Sequence, residues 1–239
     1  MLTNKSFFHF KEFKVYQGNA GLKVNTDGVL LGALASQRHP ESILDIGTGT
    51  GLIGAIIANR YHKAKHIWLD INEDAVSAAI QTKKHHPQKA RIEIILKDFR
   101  SYQSNQKFDL IVSNPPYFKA HTASNMNRKI ARQQEFLDFD NLLQKSASLL
   151  TDNGSLWLVL PANTFEEIQF LGMQNKLYIQ SKISIADTPN SEAKRIILAL
   201  IKDIKPIKTS NLYLFNENGT AHAHFYNLCK DLYVKFPQR

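Results

Sequence analysis

The 239-residue chain contains a single cysteine, Cys229. One thiol excludes an intramolecular disulfide and leaves no thiolate cluster to hold a metal. The nine histidines do not replace it, since His85 and His86 are adjacent and His222-x-His224 lacks an acidic or thiol partner, so no metal is expected. Long hydrophobic runs are also missing. Ile196–Ile201, among the longest, is strand-sized and far short of a membrane span. The opening "MLTNKSFFHFKEFKV" has no apolar stretch of signal-peptide length and no small-residue cleavage site, so a cytoplasmic protein with no membrane partner is expected. Acidic residues are few, 21 against 30 lysines and arginines. The net charge of +9 points to an anionic partner such as nucleic acid, with a merely soluble basic protein as the plain alternative. No repeat, low-complexity tract or Pro/Gly linker divides the chain.

Hydrophobic residues make up 43% of the sequence, enough for a substantial core. Segment 7–17, "FFHFKEFKVYQ", reads as one or two short strands, and "NTDGVLLGALAS" as a helix beginning near Thr26 or Asp27. From residue 42 strand and helix alternate: "SILDIG", "GLIGAIIANRY", "HIWLDI", "EDAVSAAIQTKKHH" capped by Asn72, "RIEIIL", "FDLIVS", the amphipathic "FDNLLQKSASLL", then "GSLWLVLP" after an Asp152-Asn153-Gly154 turn. This alternation predicts an α/β fold, a Rossmann-like, mostly parallel sheet of seven strands covered by helices on both faces. "LYIQSKISIA" and "RIILALI", joined by the short loop "DTPNSEAK", predict an antiparallel hairpin at the sheet edge. The tail "AHAHFYNLCKDLYVKF" reads as a last helix with Phe225, Leu228, Leu232 and Tyr233 inward. The expected organisation is one domain over 1–239, with an N-terminal extension (1–40), a core (41–202) and a C-terminal strand and helix (203–239).

Asp45-Ile46-Gly47-Thr48-Gly49-Thr50-Gly51 lies where the first core strand meets the first core helix, outside the carboxyl end of the sheet, where such folds bind nucleotides. Glycines there permit positive φ and close backbone approach. Gly49-x-Gly51-x-x-Gly54 with Asp70 formally satisfies a dinucleotide fingerprint. Asp45, however, suits a ligand carrying an ammonium group better than a pyrophosphate, which its carboxylate would repel. Asp70 can accept from both hydroxyls of a ribose, and Asp98 in "LKDFR" can accept from an adenine amine while the Phe99 amide meets a ring nitrogen. Either acid could instead simply cap its loop.

"LDIGTGTG", "WLDI", "KDF" and "NPPY", in that order over about residues 20–202, resemble the class I S-adenosylmethionine-dependent methyltransferases, and "NPPY" is similar to their amino-methylating members. The resemblance implies S-adenosyl-L-methionine as cofactor, held by Asp45, Gly47, Thr48, Gly49, Gly51, Asp70, Ile71, Asp98, Phe99 and Asn114. It implies catalysis by Asn114, Pro115, Pro116 and Tyr117. An aromatic amine is a poor nucleophile because its lone pair is delocalised. The Asn114 side-chain oxygen and the Pro115 carbonyl, set off the base plane, would each take one N–H and favour a pyramidal, reactive nitrogen. The prolines stiffen the loop, and Tyr117 offers a ring on which a flipped base can stack. A rigid turn with Tyr117 as core filler is the plainer use of the same residues.

Amines on adenine, guanine and glutamine all fall within the reach of this motif. No large recognition insert interrupts the chain, which counts against a sequence-specific DNA methylase. Segment 118–134, "FKAHTASNMNRKIARQQ", carries Lys119, Arg128, Lys129 and Arg132 with no acid and could hold substrate phosphates, or be a solvated helix face. "FKEFKVYQ…LKVNTDGVLLGA", "RKIARQQ", "KRIILAL" and "FYNLCKDLYVKF" are similar to the bacterial tRNA adenine-N6 methyltransferases that modify valine tRNA at position 37. That likeness implies a tRNA anticodon arm as partner and a place for Thr26 and Asp27 in the cofactor or substrate pocket, although the pair could equally be a helix cap; a monomer is expected, though the sequence itself does not reveal the oligomeric state. The sequence departs from the family at Asn25 and at "ARQQ". Another amine (rRNA guanine or protein glutamine), a nicotinamide-dependent dehydrogenase and an inactive RNA-binding adaptor are the competing readings.

Overall fold

The computed structural model describes residues 6–18, 24–116 and 138–237. Its elements begin with the hairpin β1 (Phe7–His9) and β2 (Lys14–Tyr16), followed by α1 (Thr26–Leu34), β3 (Ser42–Ile46), α2 (Leu52–Arg60), β4 (Lys65–Asp70) and α3 (Glu73–Lys84). Then come β5 (Ile92–Leu96), β6 (Phe108–Ser113), α4 (Phe139–Leu149), β7 (Leu150–Pro161) and α5 (Phe165–Gln174). The chain closes with β8 (Tyr178–Ala186), β9 (Arg195–Ile201), β10 (Lys208–Tyr213) and α6 (Ala223–Cys229). One eight-stranded sheet runs β10-β8-β9-β7-β6-β3-β4-β5, and β1–β2 form a separate antiparallel pair. Only the pairs made by β9 are antiparallel within the large sheet.

The central strands β3, β6 and β9 are largely apolar because both faces are covered, and their side chains divide between two core clusters, alternating except where β6 is irregular between Phe108 and Leu110. In β6, Leu110 and Val112 enter one cluster with Val29 of α1, Ile53 of α2 and Phe225 of α6, while Phe108 and Ile111 enter the other with Leu142 of α4 and Ile168 of α5. β9 repeats the pattern, Ile197 and Ala199 on the first side and Ile196, Leu198 and Leu200 on the second.

Four features differ from the sequence expectation. The sheet has eight strands rather than seven, and the β8–β9 hairpin is not at the edge, because β10 pairs parallel with β8 outside it. That addition satisfies the outer backbone groups of β8, and the new edge is blunted by an exposed Lys208. Asp152-Asn153-Gly154 makes no turn: β7 runs through it from Leu150, with a register shift opposite Phe108 and Leu110. A Cβ on Gly154 would lie 2.8 Å from the Phe108 carbonyl, which explains a glycine inside the strand. Helix α5, "FEEIQFLGMQ", has no counterpart in the sequence reading; it buries Ile168 and Gly172 but exposes Phe170 and Met173, so its apolar residues mark no single face. Finally, α6 ends at Cys229, and the chain turns so that Tyr233 bridges Phe10 of the N-terminal hairpin. Among the described residues no helix is long and apolar enough to cross a membrane.

Candidate active site

The strand ends set the site. Ile46 is level with Leu69 on one side and Ser113 on the other, and Asp70 is level with Leu96. The loops after β5, β4, β3 and β6 therefore leave the same edge side by side. They carry, in that spatial order, Asp98, Asp70, the turn 47–51 and Asn114. Connections leave β3 and β6 toward opposite ends of the sheet, so a crevice opens between them.

The glycine turn is held from below. The amides of Gly47 and Thr48 both donate to the Leu69 carbonyl (2.8 and 3.0 Å), and that of Gly51 donates to the Thr48 carbonyl (2.9 Å). Gly47, Gly49 and Gly51 take φ of 67°, 57° and 79°, where a side chain would be strained. Gly47 is exposed, and a Cβ there would meet nothing within 4 Å. Thr48 faces inward. Its hydroxyl donates to Asp45 Oδ2 at 2.7 Å, and the Gly54 amide donates to the same oxygen at 2.9 Å. Asp45 is only 1% exposed, and its second oxygen, Oδ1, is buried with no partner. Burial pushes the carboxyl up to about 7, against the pull of Thr48 and Gly54. A buried carboxylate with one oxygen unmet, beside an open glycine cradle, fits a ligand that brings its own cation.

Asp70 is fixed by two amides, Gly49 N–H on Oδ2 (2.8 Å) and Asn72 N–H on Oδ1 (2.9 Å). Each oxygen keeps a lone pair for a further donor, so a vicinal diol can bridge them. Beside it the Ile71 side chain is 48% exposed, an apolar face at the crevice. Asp98 caps a single helical turn (Phe99–Ser101): its Oδ1 accepts from Arg100 N–H and its Oδ2 from Arg100 Nε, each at 2.8 Å. The Arg100 side chain holds the Asp98 carboxyl below the usual carboxylate range. The loop-capping use foreseen for Asp98 is thus present, and it leaves the carboxylate ionised as an acceptor. The Phe99 ring is buried in the core, while its amide opens the turn, where N–H groups lack an intrahelical acceptor.

Gly51 and Gly54 owe their identity to Trp68 of β4. A Cβ on Gly51 would sit 2.7 Å from the indole, and one on Gly54 would sit 2.3 Å from Nε1. The apparent dinucleotide fingerprint is therefore partly a packing requirement. Gly54→Ala is expected to destabilise the protein by about 1–3 kcal/mol, despite alanine's roughly 1 kcal/mol advantage inside a helix. Denaturant unfolding would measure it, and an unchanged midpoint would contradict the Trp68 argument. Thr82 links the turn to the N-terminal hairpin: its hydroxyl donates to the Thr50 carbonyl (2.7 Å) and accepts from Tyr16 N–H (3.0 Å). No local motif announces this link, because it depends on α3 crossing behind the turn.

At the end of β6, Ser113 is buried and its hydroxyl donates to the Ile46 carbonyl at 2.9 Å, tying the catalytic-loop candidate to the glycine strand. Asn114 is half-buried, Pro115 buried and Pro116 exposed. Tyr117 and the candidate RNA anchors Lys119, Arg128, Lys129 and Arg132 lie outside the described residues. Thr26 and Asp27 do not cap α1; Asn25 does, accepting from Gly28 N–H at 2.8 Å. Asp27 instead pairs with Arg195 Nη1 at 2.8 Å, and Nη2 of the same arginine lies 3.5 Å from Asp187. Burial raises the Asp27 carboxyl, opposed by Arg195. Arg195 is level with Pro161 at the end of β7, so this pair sits on the same sheet edge. Sequence reasoning did not find Arg195; its only signal is a cation at the first position of "RIILALI".

Comparison with known proteins agrees with this architecture. Residues 25–179 match the methyltransferase small domain model. The chain is 38% identical over 194 residues to a tRNA1(Val) (adenine(37)-N6)-methyltransferase of Bacteroides thetaiotaomicron, covering 80% of this chain and 82% of that one. It is 35% identical to the protein of the same name from Vibrio vulnificus, over 95% of both chains, and 37% identical to that of Phocaeicola vulgatus, over 95% and 97%. Among solved structures, a predicted O-methyltransferase from Agrobacterium tumefaciens superposes with a TM-score of 0.68 at 18% identity, covering 88% of this chain and 98% of that one. A TehB-like SAM-dependent methyltransferase from Corynebacterium glutamicum gives 0.50 at 16%, over 77% and 91%. These two likenesses concern the fold. The row of loops at the carboxyl edge and the match along almost the whole chain lead to one conclusion: the chain belongs to the methyltransferase small domain family and, within it, to the tRNA1(Val) (adenine(37)-N6)-methyltransferase family.

Proposed function

We propose that this protein transfers the methyl group of S-adenosyl-L-methionine to the N6 amine of an adenosine in tRNA, with adenosine 37 of valine tRNA as the target. The observation that carries the reading is the order of the four loops, Asp98, Asp70, the glycine turn and Asn114, along one sheet edge. It matches, group by group, an adenine, a ribose, an amino-acid ammonium and a target amine. The cofactor, when bound, supplies an activated sulfonium methyl. Asp45 Oδ1 receives the ammonium group, directly or through water. Asp70 accepts from the ribose hydroxyls, Asp98 and the Phe99 amide read the adenine edge, and Ile71 covers its face. Gly47 and Gly49 allow close approach of the backbone, while Thr48 and Gly51 hold the turn in shape. Asn114 and Pro115 accept the two N–H groups of the target amine and direct its lone pair toward the glycine turn, with Pro116 stiffening the loop and Tyr117 stacking on the base. Lys119, Arg128, Lys129 and Arg132 contact the backbone of the anticodon arm. The protein works as a cytoplasmic monomer and needs no metal.

The test is a nucleoside digest of an unmodified valine tRNA transcript after incubation with labelled cofactor. The expected label is in N6-methyladenosine. Label in guanosine, or in glutamine of a release factor offered alongside, would overturn the choice of amine.

A further inference from the structure

The described residues line an open pocket of about 520 Å³ between the N-terminal hairpin, the start of α1 and the C-terminal tail. Its walls include Phe8, Tyr233 and Phe236, with Asn25 and Thr26 on one side and Lys235. The volume falls within the range of roughly 300–1,000 Å³ typical of small-ligand pockets. The rings are held by the tail's attachment to the hairpin. Tyr233 bridges Phe10, the Lys11 amide donates to the Leu232 carbonyl at 2.9 Å, and Tyr233 lies 5.2 Å from Phe236 and 6.2 Å from Phe8, centroid to centroid. Phe8 and Phe236 are half-buried, so each keeps ring surface for a ligand; Lys235 is exposed.

The chemistry of the walls selects a class of occupant. No carboxylate is among the described residues that line the cavity, and its one charged side chain is a lysine. A purely apolar ligand would make no use of Lys235. A nucleotide uses both parts, its base against the rings and its phosphate on the ammonium. The position agrees. Helix α1 starts beside the start of α2, Gly28 lying against Leu52 and Ile53, and α2 leaves the glycine turn. The pocket wall at Asn25 and Thr26 therefore lies toward the carboxyl edge of the sheet, where the next residue, Asp27, pairs with Arg195 beside the end of β7. The net charge of +9 favours a polyanion over a neutral small molecule.

We infer that this cavity receives a second base of the same RNA, unstacked from the methylated one, with Lys235 on its phosphate. The inference rests on the proposed tRNA substrate and extends it to a site outside the methyl-transfer loops. It accounts for the tail's turn back onto the hairpin, which a helix continuing past Cys229 would forbid.

Two variants test it on the full chain. Phe236→Leu keeps apolar volume against Phe225 and Tyr226 but removes the π-face. It is expected to raise the Kd for unmodified valine tRNA about tenfold in filter binding. Lys235→Ala is expected to reduce the slope of log Kd against log salt by about one. Cofactor affinity should stay at the wild-type value in both; Lys235→Ala should keep the wild-type melting temperature, and Phe236→Leu, which loses ring contacts to Phe225, Tyr226 and Tyr233, is assayed well below its own. Binding of tRNA within twofold of wild type in both variants would overturn the inference, as would a parallel loss of cofactor affinity, which would assign the cavity to the cofactor. The two readings fail separately. If the wild type methylates tRNA adenosine while both variants bind normally, only the cavity assignment falls. If the wild type leaves tRNA adenosine unmethylated, the proposed reaction falls, and the binding series still decides the cavity. If the wild type does not bind tRNA, both fall.

Discussion

Asn114→Ala should reduce methyl transfer by roughly 10³-fold while leaving cofactor affinity within a few-fold of wild type. The asymmetry follows from where the residue stands. Asn114 follows β6, one strand over from the glycine turn, whereas Asp70 ends β4 and Asp98 follows β5, on the far side of β3. Truncation removes an acceptor needed only when an N–H of the target amine must turn out of the base plane. Loss of an interaction made in the transition state lowers kcat and kcat/KM together. The Ser113 anchor to the Ile46 carbonyl lies upstream of the change and keeps the loop's entry in place. Single-turnover transfer with saturating tRNA, alongside calorimetric titration with S-adenosylhomocysteine, would separate the two quantities. A fall in cofactor affinity equal to the fall in rate would move Asn114 from the amine to the cofactor.

Strands buried on both faces were legible because nothing but an apolar run survives there: "FDLIVS" and "RIILALI" match β6 and β9 residue for residue. Helix α3 was legible at its start for a different reason. Asn72 accepts from Ala75 N–H, with Glu73 and Asp74 in the first turn, and such local hydrogen bonding and dipole chemistry requires no tertiary context. What failed was whatever tertiary packing decides. Asp152-Asn153-Gly154 has turn composition, yet it lies within β7, in the irregular stretch between Leu150 and Ser155 opposite Asp109 of β6, and the glycine serves a close carbonyl contact. Helix α5 was missed since Phe170 and Met173 break its amphipathic period.

The site divides along the same line. The glycine turn and its carboxylates are local patterns and could be read directly. The reason for Gly54 could not, because the ring it must avoid arrives from the next strand, 14 positions later at Trp68. Asp27, expected either in the pocket or as a helix cap, stands in the first turn of α1 and does not cap it. Its charge is met by Arg195, 168 positions away, brought back to the same edge by the reversal of β9. Asn25 departs from the narrower family's pattern, and the structure gives it the capping task that had been considered for Thr26 and Asp27.

Asp45→Asn should separate stability from cofactor binding. In the free protein the carboxyl is buried and pushed up to about 7, from an ordinary value of 3.8. A raised folded-state value means that the native protein holds its proton where the unfolded chain has lost it. Stability from this group is fully present below pH 4 and declines as the pH rises through about 7, so above that the ionised side chain is a net cost. At 1.36 kcal/mol per unit this cost is on the order of 4 kcal/mol. The amide oxygen of asparagine can still accept from Thr48 and Gly54, but its NH₂ replaces the unmet Oδ1 as a buried group without a partner, returning about 1–3 kcal/mol of the gain. The variant should therefore be more stable than wild type by about 1–3 kcal/mol at pH 8, and the advantage should shrink toward pH 4. Cofactor affinity should move the other way, weakening by at least about tenfold, because an amide N–H cannot accept from an ammonium group. Denaturant unfolding at the two pH values and a titration with S-adenosylhomocysteine would read both effects. A variant that is destabilised at pH 8, or that binds cofactor as well as wild type, would show that Asp45 serves only to shape the turn.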